Sequence, residues 1–344
     1  MKSRLKLGLL AALATTAVAA AAQEVTLKVH HMWVPTANAP TKIINPWCEK
    51  IAAESNNRMK CQIYPSLSLG GTPAQLFDQA KDGVADIVYT LPGYTPGRFP
   101  IIEAFELPFM TNKGEDASKA AWDFYAKYGQ KEFGMVKPLL INVHEEGYLH
   151  TRNKPVQKME DLRGMKLRAP TRFTTKMLTK LGATPVGMPL PTLPEAVGKG
   201  VVDGFLLAWE AMPPLKLHEM VKYHIETPQD RPALYANVFI MAMNKAKYDS
   251  LPPDLKAVID RNSGAGLSAM AGRAWDEAKP PARKLAEARG NQFHTLPTAE
   301  VDRWTKATAD LQDEYVDNMN KLGLPGKQML QDARDLLAKY NTTK

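Results

Sequence analysis

Arg168 stands where its guanidinium could bind an anion. It lies near the end of a predicted strand, Met165–Ala169, immediately before Pro170 and the predicted helix cap Thr171. Open α/β sheets bind ligands in the crevice beyond the carboxyl ends of their strands, so this side chain could reach such a crevice. Its planar fork matches both oxygens of a carboxylate, and the dipole of the following helix favours negative charge there. On local sequence alone, a solvated surface arginine is the alternative.

The chain has no motif that is typical of covalent catalysis or phosphate binding. It lacks the G-x-S-x-G elbow, a cysteine within a plausible triad, and both glycine-rich phosphate patterns. Its seven histidines show no H-E-x-x-H or similar metal-binding spacing. We therefore predict no enzymatic activity, no metal and no cofactor. An exported enzyme acting on small organic acids is the alternative, because catalytic groups can come from distant positions.

Cys48 and Cys61 are the two cysteines of the chain. In an oxidising compartment, such an even and closely spaced pair is typical of a disulfide. A bridge that closes so short a loop could contribute on the order of 3 kcal/mol to stability. Two free buried thiols are the alternative.

The first residues indicate export. Lys2, Arg4 and Lys6 precede an apolar run, Leu7 to Leu13, and small residues then lead to Ala22. This order is that of a secretory signal peptide, and the apolar run is shorter than the roughly 20 residues that span a bilayer. We predict that residues 1–22 are a cleaved signal peptide and that the mature chain is periplasmic. A buried N-terminal helix is the alternative.

Length and charge narrow the class of protein further. The mature chain of about 320 residues exceeds what a single core usually holds, which predicts two domains. The net charge of +8 falls to +5 once the three basic residues of the signal are removed. Arg283 and Lys284 are its single adjacent basic pair, whereas nucleic-acid binders usually concentrate their charge. We therefore predict no nucleic-acid partner, and the mild positive balance suits a protein that handles anions.

The hydrophobic pattern predicts alternating strands and helices in the first part of the mature chain. Val25, Leu27 and Val29 alternate with polar residues as in a half-buried strand, and a capping box at Thr72 and Gln75 predicts a helix start. The predicted elements are a strand from Val25, a helix from Ile43 that ends at Asn56-Asn57, a strand over 59–64, a helix to 81 and a strand over 86–90. This order is typical of a parallel sheet with crossover helices.

The same alternation restarts in the second part of the chain. Strands are predicted over 137–143, 164–169, 184–188 and 201–207, with a helix from Thr171 to Gly182. From Leu251 onward the pattern is mainly helical, with a long helix over 298–322 and a last one over 327–340. Pro280 and Pro281 predict a kink or break in this helical region. Two βαβ halves with helical returns predict two α/β lobes and a cleft between them.

Six stretches resemble the signature of the solute-binding proteins of TRAP transporters. They are PVQKMEDLRGMKLRAP (155–170), LGATP (181–185), GVVDG (200–204), NKAKYDSLP (244–252), YPSLSLGG (64–71) and KDGVAD (81–86). The resemblance covers nearly all of the mature chain in the same order. It implies an α/β, two-lobed periplasmic binding protein fold with a cleft between the lobes and a long helix that spans both. It also implies that Arg168 clamps the carboxylate of a ligand and that the loaded protein delivers this ligand to the membrane permease subunits.

The departures from sialic-acid-binding members of that family suggest the ligand class. Where those relatives carry charged or amide side chains, this chain has Trp33, Leu91, Tyr94, Leu149 and Leu207. Leu149 replaces a second arginine and Leu207 replaces an asparagine. In such a lining, each buried hydroxyl without a partner would cost about 1–3 kcal/mol. We therefore expect an aromatic or apolar monocarboxylate such as a 2-oxo, 2-hydroxy or phenylpropenoic acid. A C4-dicarboxylate is the alternative ligand, and ordinary core packing is the alternative role of these residues.

Trp209, Phe173 and Arg172 are further candidates for contact with the ligand. For the lobes we predict residues 23–145 with 235–272 as the first, and 146–234 with the C-terminal helices, 273–344, as the second. We expect a monomer whose partners are the organic acid and the permease. A sensory module that lends the same fold to a receptor is a third reading of the chain.

Overall fold

The computed structural model describes residues 24–341, and two separate β-sheets form its centre. The predicted signal peptide, residues 1–22, lies outside the described residues. The strands are β1 (Val25–His31), β2 (Met59–Tyr64), β3 (Ile87–Thr90), β4 (Val136–Val143), β5 (Gly147–Thr151), β6 (Lys166–Ala169), β7 (Thr184–Gly187), β8 (Gly204–Ala208), β9 (Tyr223–Glu226), β10 (Val238–Asn244) and β11 (Gln292–Thr295).

Helices cover the two sheets and connect most of the strands. They are α1 (Asn45–Glu54), α2 (Leu76–Lys81), α3 (Gly114–Phe124), α4 (Arg172–Lys180), α5 (Leu193–Gly198), α6 (Lys245–Ser250), α7 (Pro253–Arg261), α8 (Ala265–Ala288), α9 (Thr298–Ala307), α10 (Asp310–Lys321) and α11 (Gly326–Tyr340). Within residues 24–341, no helix is long and apolar enough to cross a membrane.

The two sheets correspond to the two predicted α/β halves. The first has the order β2-β1-β3-β10-β4, in which β1 runs parallel to β2 and β3. The second has the order β11-β9-β5-β8-β6-β7, in which β6 runs parallel to β7 and β8. Strands β5 and β10 pair antiparallel with both of their neighbours, whereas β11 pairs parallel with β9. The predicted α/β fold with parallel crossover units is therefore confirmed.

The chain passes between the sheets through two connections near its middle. It leaves the first sheet after β4 at Val143 and joins the second at Gly147, and it returns between Glu226 and Val238. We propose that these two connections are boundaries between the lobes; the lobe boundaries at 145, 235 and 272 stay a prediction.

Helix α8 crosses from one sheet to the other, as the family resemblance implies. In the first half of α8, Arg273 donates to both carboxylate oxygens of Glu115 in α3, at 2.9 and 3.0 Å. Near its end, Arg283 donates to both carboxylate oxygens of Glu226 in β9, at 2.8 and 3.1 Å. Helix α8 is thus held by a bidentate ion pair to an element of each half of the molecule.

The predicted break at Pro280 and Pro281 is not observed. Helix α8 continues through both residues to Ala288. Each proline removes one backbone donor, but Ala282 and Ala286 beyond them remain buried in the core. The long helix predicted over 298–322 is instead divided into α9 and α10. The hydroxyl of Thr308 donates to the carbonyl of Trp304 at 3.0 Å, a bond that competes with the backbone ladder and bends helices.

The disulfide predicted between Cys48 and Cys61 is present, and it joins α1 to the adjacent strand β2. Their Cα atoms are 5.7 Å apart. The bridge holds the first helix against the edge strand of the first sheet.

Candidate functional site

A cavity lies between the two sheets and draws its lining from both. It encloses only about 30 Å³, so its walls lie close together. The lining residues are Met32, Trp33, Leu91, Tyr94, His144, Arg168, Pro170, Leu190, Leu207, Ala208, Glu210, Ala211, Tyr235, Asn237, Phe239 and Trp275. Most of these side chains are apolar or aromatic, so the cavity suits a small ligand with an apolar body.

Arg168 is the one fully ionised group of this lining, and it is buried, with 1% of its surface exposed. It sits in β6, where its Nε donates to the carbonyl of Met188 at 3.0 Å. Its Nη1 donates to the carbonyl of Leu206 in β8 at 2.9 Å. These two bonds fix the plane of the guanidinium while leaving donors free for a ligand.

No acidic side chain among residues 24–341 forms an ion pair with Arg168; its polar neighbours are Tyr94 and Tyr235. Burial lowers the pKa of Arg168 without bringing it near neutrality, because an arginine side chain stays protonated in proteins. An uncompensated buried cation is costly, and a bound carboxylate would supply the missing charge.

Tyr94 connects the two sides of the cavity. It ends a short helical turn, Pro92–Tyr94, which follows β3 of the first sheet. Its hydroxyl accepts a hydrogen bond of 3.0 Å from the backbone N–H of Leu190, which follows β7 of the second sheet. Burial raises the pKa of Tyr94, so the phenol remains neutral beside Arg168. The contact joins elements of the two sheets across the cavity.

Aromatic rings form one wall of the cavity. Trp33 lies 4.9 Å from Tyr89 and 5.9 Å from Phe239, measured between ring centroids. Phe239 in turn lies 5.2 Å from Trp275 of α8. Ring pairs at such separations stabilise one another beyond the burial of their area, which makes this wall rigid. An apolar, aromatic wall of this kind is complementary to an aromatic ring or a branched alkyl group.

Five of the residues that the sequence suggested as ligand contacts come together in the cavity. They are Arg168, Trp33, Leu91, Tyr94 and Leu207. They come from β6, from the segments after β1 and β3, and from β8. Their contact with a ligand stays a prediction, and the structure places them where it could occur.

Leu149 and Trp209 lie outside the lining. Leu149 pairs with Leu206 in the sheet, whereas Leu207 pairs with Tyr148. Because successive side chains of a strand point to opposite faces, Leu149 faces away from the side that carries Leu207. Trp209 is fully buried and stacks on Phe293, with ring centroids 5.7 Å apart. Both residues serve packing within the second lobe.

Phe173 and Arg172 also lie outside the lining, at the start of α4. Phe173 is fully buried beneath the guanidinium of Arg172, which lies 4.8 Å from its ring centroid. Arg172 donates to Glu103 through Nε at 2.9 Å and through Nη2. Its charge is therefore satisfied by a carboxylate of the protein, in contrast with that of Arg168.

His144 and Asn237 are lining residues that sequence reasoning missed. His144 Nε2 accepts a hydrogen bond of 3.0 Å from the backbone N–H of Asn237, and its Nδ1 faces the carbonyl of Glu145. Burial lowers the pKa of His144 to about 4, so its ring is neutral at pH 7 with the proton on Nδ1. Both ring nitrogens are engaged, and the histidine therefore serves to position the backbone at Asn237.

Two buried glutamates stand side by side at the edge of the cavity. The backbone N–H of Glu210 donates to Oε1 of Glu145 at 3.0 Å. Burial raises the pKa of Glu210 to about 8, and burial together with the nearby Glu210 raises that of Glu145 well above its usual value. Both carboxyls are therefore protonated at pH 7, so that Glu210 does not repel an anionic ligand.

We expect the free energy of unfolding of the ligand-free protein to fall between pH 6.5 and pH 8.5. Buried Glu210 and Glu106 keep their protons up to about pH 8, whereas in the unfolded chain they lose them near pH 4.5. A raised carboxyl pKa stabilises the fold fully at low pH, and this contribution is lost as the pH rises through the folded value. Glu210→Gln should reduce the fall by about 1–2 kcal/mol. Urea unfolding followed by circular dichroism at the two pH values measures it.

The matched control is Glu195→Gln on an exposed helix face, which should leave the slope unchanged. An unaltered slope in the Glu210→Gln variant would contradict the assignment of a protonated Glu210.

In the described part of the chain, no group of three or more His, Cys, Asp or Glu side chains is arranged to hold a metal ion. The polar groups of the cavity are thus a buried guanidinium, neutral hydroxyls, an amide, a neutral imidazole and a protonated carboxyl. This set can bind and orient an anion, and two lobes that close around such a site define a solute-binding protein.

Comparison with known proteins identifies the family. Residues 30–318 match the model of the bacterial extracellular solute-binding proteins, family 7, and the chain belongs to this family. The resemblance to TRAP solute-binding proteins is thereby confirmed.

Solved structures of TRAP solute-binding proteins are similar over nearly the whole chain. One from Rhodoferax ferrireducens, with copurified benzoate, is 44% identical with a TM-score of 0.90, covering 92% of this chain and 98% of its own. One from a marine metagenome, with 3-hydroxybenzoate, is 45% identical with a TM-score of 0.90 and coverages of 93% and 100%. One from Bordetella bronchiseptica, with (R)- and (S)-mandelate, is 28% identical with a TM-score of 0.86 and coverages of 92% and 100%.

Proposed function

We propose that this chain is the periplasmic solute-binding component of a TRAP transporter that captures an aromatic monocarboxylate. It delivers the acid unchanged to the membrane permease. The observation that carries this proposal is Arg168, a buried cation without a carboxylate partner in an otherwise apolar and aromatic cavity. The similar proteins that hold benzoate, 3-hydroxybenzoate and mandelate support the same ligand class.

The lining favours one carboxylate over two. A ligand carboxylate can accept from the remaining N–H donors of Arg168 and from the neighbouring hydroxyl of Tyr94. A second carboxylate would face a neutral His144 and a protonated Glu210 instead of a cation. Because an unpaired buried charge is strongly unfavourable, C4-dicarboxylates should bind poorly.

An apolar pocket adjoins the cavity and shares part of its wall. The two have Met32, Trp33, Leu190, Glu210 and Ala211 in common. The additional lining of this pocket is mostly apolar and includes Val34, Ala37, Leu67, Pro191, Pro214 and Leu215. An acid with an apolar extension beyond its ring, such as a phenylpropenoic acid, could place that extension here.

The proposed role involves no chemistry on the ligand. The imidazole of His144 has both nitrogens engaged by the backbone, and the hydroxyl of Tyr94 is held by Leu190. Among the described lining residues, no serine or cysteine nucleophile is present. Incubation with candidate acids should therefore return them unchanged, and detectable turnover would favour the exported enzyme.

We expect a thermal-shift panel to rank aromatic monocarboxylates first. A ligand that binds only the folded protein adds about 2.7 kcal/mol of stability at a hundredfold excess over its Kd, which raises the melting temperature. Benzoate, hydroxybenzoates, mandelate and cinnamate should give the largest shifts, C4-dicarboxylates small ones, and sialic or sugar acids none.

The panel needs an isosteric neutral control, for which benzamide serves, since it keeps the ring and removes the charge. A largest shift from succinate, malate or a sugar acid would contradict the proposed ligand class. The family membership would be unaffected by that result.

A further inference from the structure

Asn237 carries a polar atom in the cavity wall that no residue satisfies. The side chain is 5% exposed, and its buried Oδ1 has no hydrogen-bond partner among the described residues. An unsatisfied buried amide is unfavourable, so its presence in a cavity calls for a complementary group. A ligand atom can reach it, because Asn237 lines the same cavity as Arg168.

The backbone of Asn237 is held in place independently of its side chain. Its N–H donates to Nε2 of His144 at 3.0 Å, and its carbonyl accepts from the N–H of His144 at 3.4 Å. Because the neighbouring residue Val238 begins β10, the position of Asn237 is fixed from both sides. A group held this firmly recognises a ligand atom at low entropic cost.

Arg168 and Asn237 belong to different halves of the molecule. Arg168 lies in β6 of the second sheet, and Asn237 lies immediately before β10 of the first. The carboxylate of a ligand occupies Arg168, so that a second polar group on the same ligand would be free for Asn237. A hydroxyl fits best, because it is uncharged and both donates and accepts, and so can pair with either end of an amide.

We propose that the side chain of Asn237 forms a hydrogen bond with a hydroxyl substituent of the aromatic acid. The preferred ligands are then hydroxylated aromatic monocarboxylates. This inference rests on the proposed function, since it assumes that Arg168 holds the carboxylate. The hydroxyl contact ties the ligand to the first lobe while the carboxylate ties it to the second. Hydroxylated acids thus favour the closed form more strongly than their parent acids.

The test is isothermal titration calorimetry with matched pairs of acids. Benzoate is compared with its 2-, 3- and 4-hydroxy derivatives, and phenylacetate with mandelate, in wild-type protein, Asn237→Leu and Leu207→Val. In the wild type, at least one hydroxylated acid should bind about tenfold more tightly than its parent. Asn237→Leu should remove this preference while the Kd of the parent acid stays within about threefold.

Leu207→Val is the matched control, since it alters an apolar lining residue and removes no polar atom. It should change the affinities of parent and hydroxylated acids equally. Asn237→Ala removes the amide without adding bulk and replaces the leucine variant if that variant does not fold.

Two results would overturn the inference. In one, no hydroxylated acid surpasses its parent in the wild type; in the other, the asparagine variants weaken both members of a pair equally. Either outcome leaves the proposed function intact, because the parent acids still bind. If neither parent nor hydroxylated acids bind to the wild type, it is the proposed function that fails.

Discussion

Arg168→Ala is expected to abolish measurable binding of aromatic acids while the ligand-free protein keeps its fold. The side chain supplies the positive charge for the ligand carboxylate, and loss of one partner of a buried charge pair costs about 2–5 kcal/mol, which corresponds to at least about 30-fold in Kd. The fold should tolerate the change, because the guanidinium bonds to backbone carbonyls and leaves no carboxylate unpaired when removed. Calorimetry measures the affinity, and thermal unfolding measures the stability.

Arg168→Lys should restore binding only weakly, because an ammonium group cannot reproduce the two-pronged geometry. Arg172→Ala, measured in the same experiment, removes an arginine that is paired with a carboxylate of the protein itself. Arg172 pairs with the buried Glu103, so its loss should lower stability more than affinity. Near-native affinity in the Arg168→Ala variant would contradict the role of Arg168 in binding the ligand carboxylate.

Gly272→Ala is expected to destabilise the protein by about 3 kcal/mol, at the upper end of the usual overpacking penalty of about 1–3 kcal/mol. A Cβ at this position would overlap the carbonyl oxygen of Gly114 and the hydroxyl of Ser118 in α3. Since Gly114 contributes backbone at this contact, no side-chain rotation relieves the overlap. The helices α3 and α8 would have to separate. Denaturant unfolding measures the change.

Gly266→Ala in the same helix is the control for this prediction. No atom lies within 4 Å of a Cβ at Gly266, so alanine fits there without strain. Its stability should be unchanged or raised by up to about 1 kcal/mol, the difference in helix propensity between the two residues. Equal effects of the two substitutions would show that propensity, and not the contact with α3, governs this helix.

Local patterns predicted the elements whose residues alternate or carry clear caps. In β1 the polar residues between Val25, Leu27 and Val29 mark a half-buried strand. By contrast, β5 and β10 were missed; all their residues are buried and show no alternation that would separate them from a buried helix. Such a strand cannot be distinguished from a buried helix by periodicity, and only its neighbours in the sheet define it.

The features of the candidate site likewise fall into those that the sequence predicts and those that depend on the tertiary structure. The position of Arg168 at the end of β6, the cysteine pair and the family membership follow from the sequence by itself, because each depends on a short stretch or on motifs in fixed order. The choice between Leu149 and Leu207 depends on the register of β5 against β8, which only the folded sheet decides. Asn237, Phe239 and Trp275 join Arg168 in the cavity although they are far from it in the chain. Only the tertiary structure brings them there, because the return of β10 to the first sheet and the path of α8 across both lobes are set by packing between distant residues.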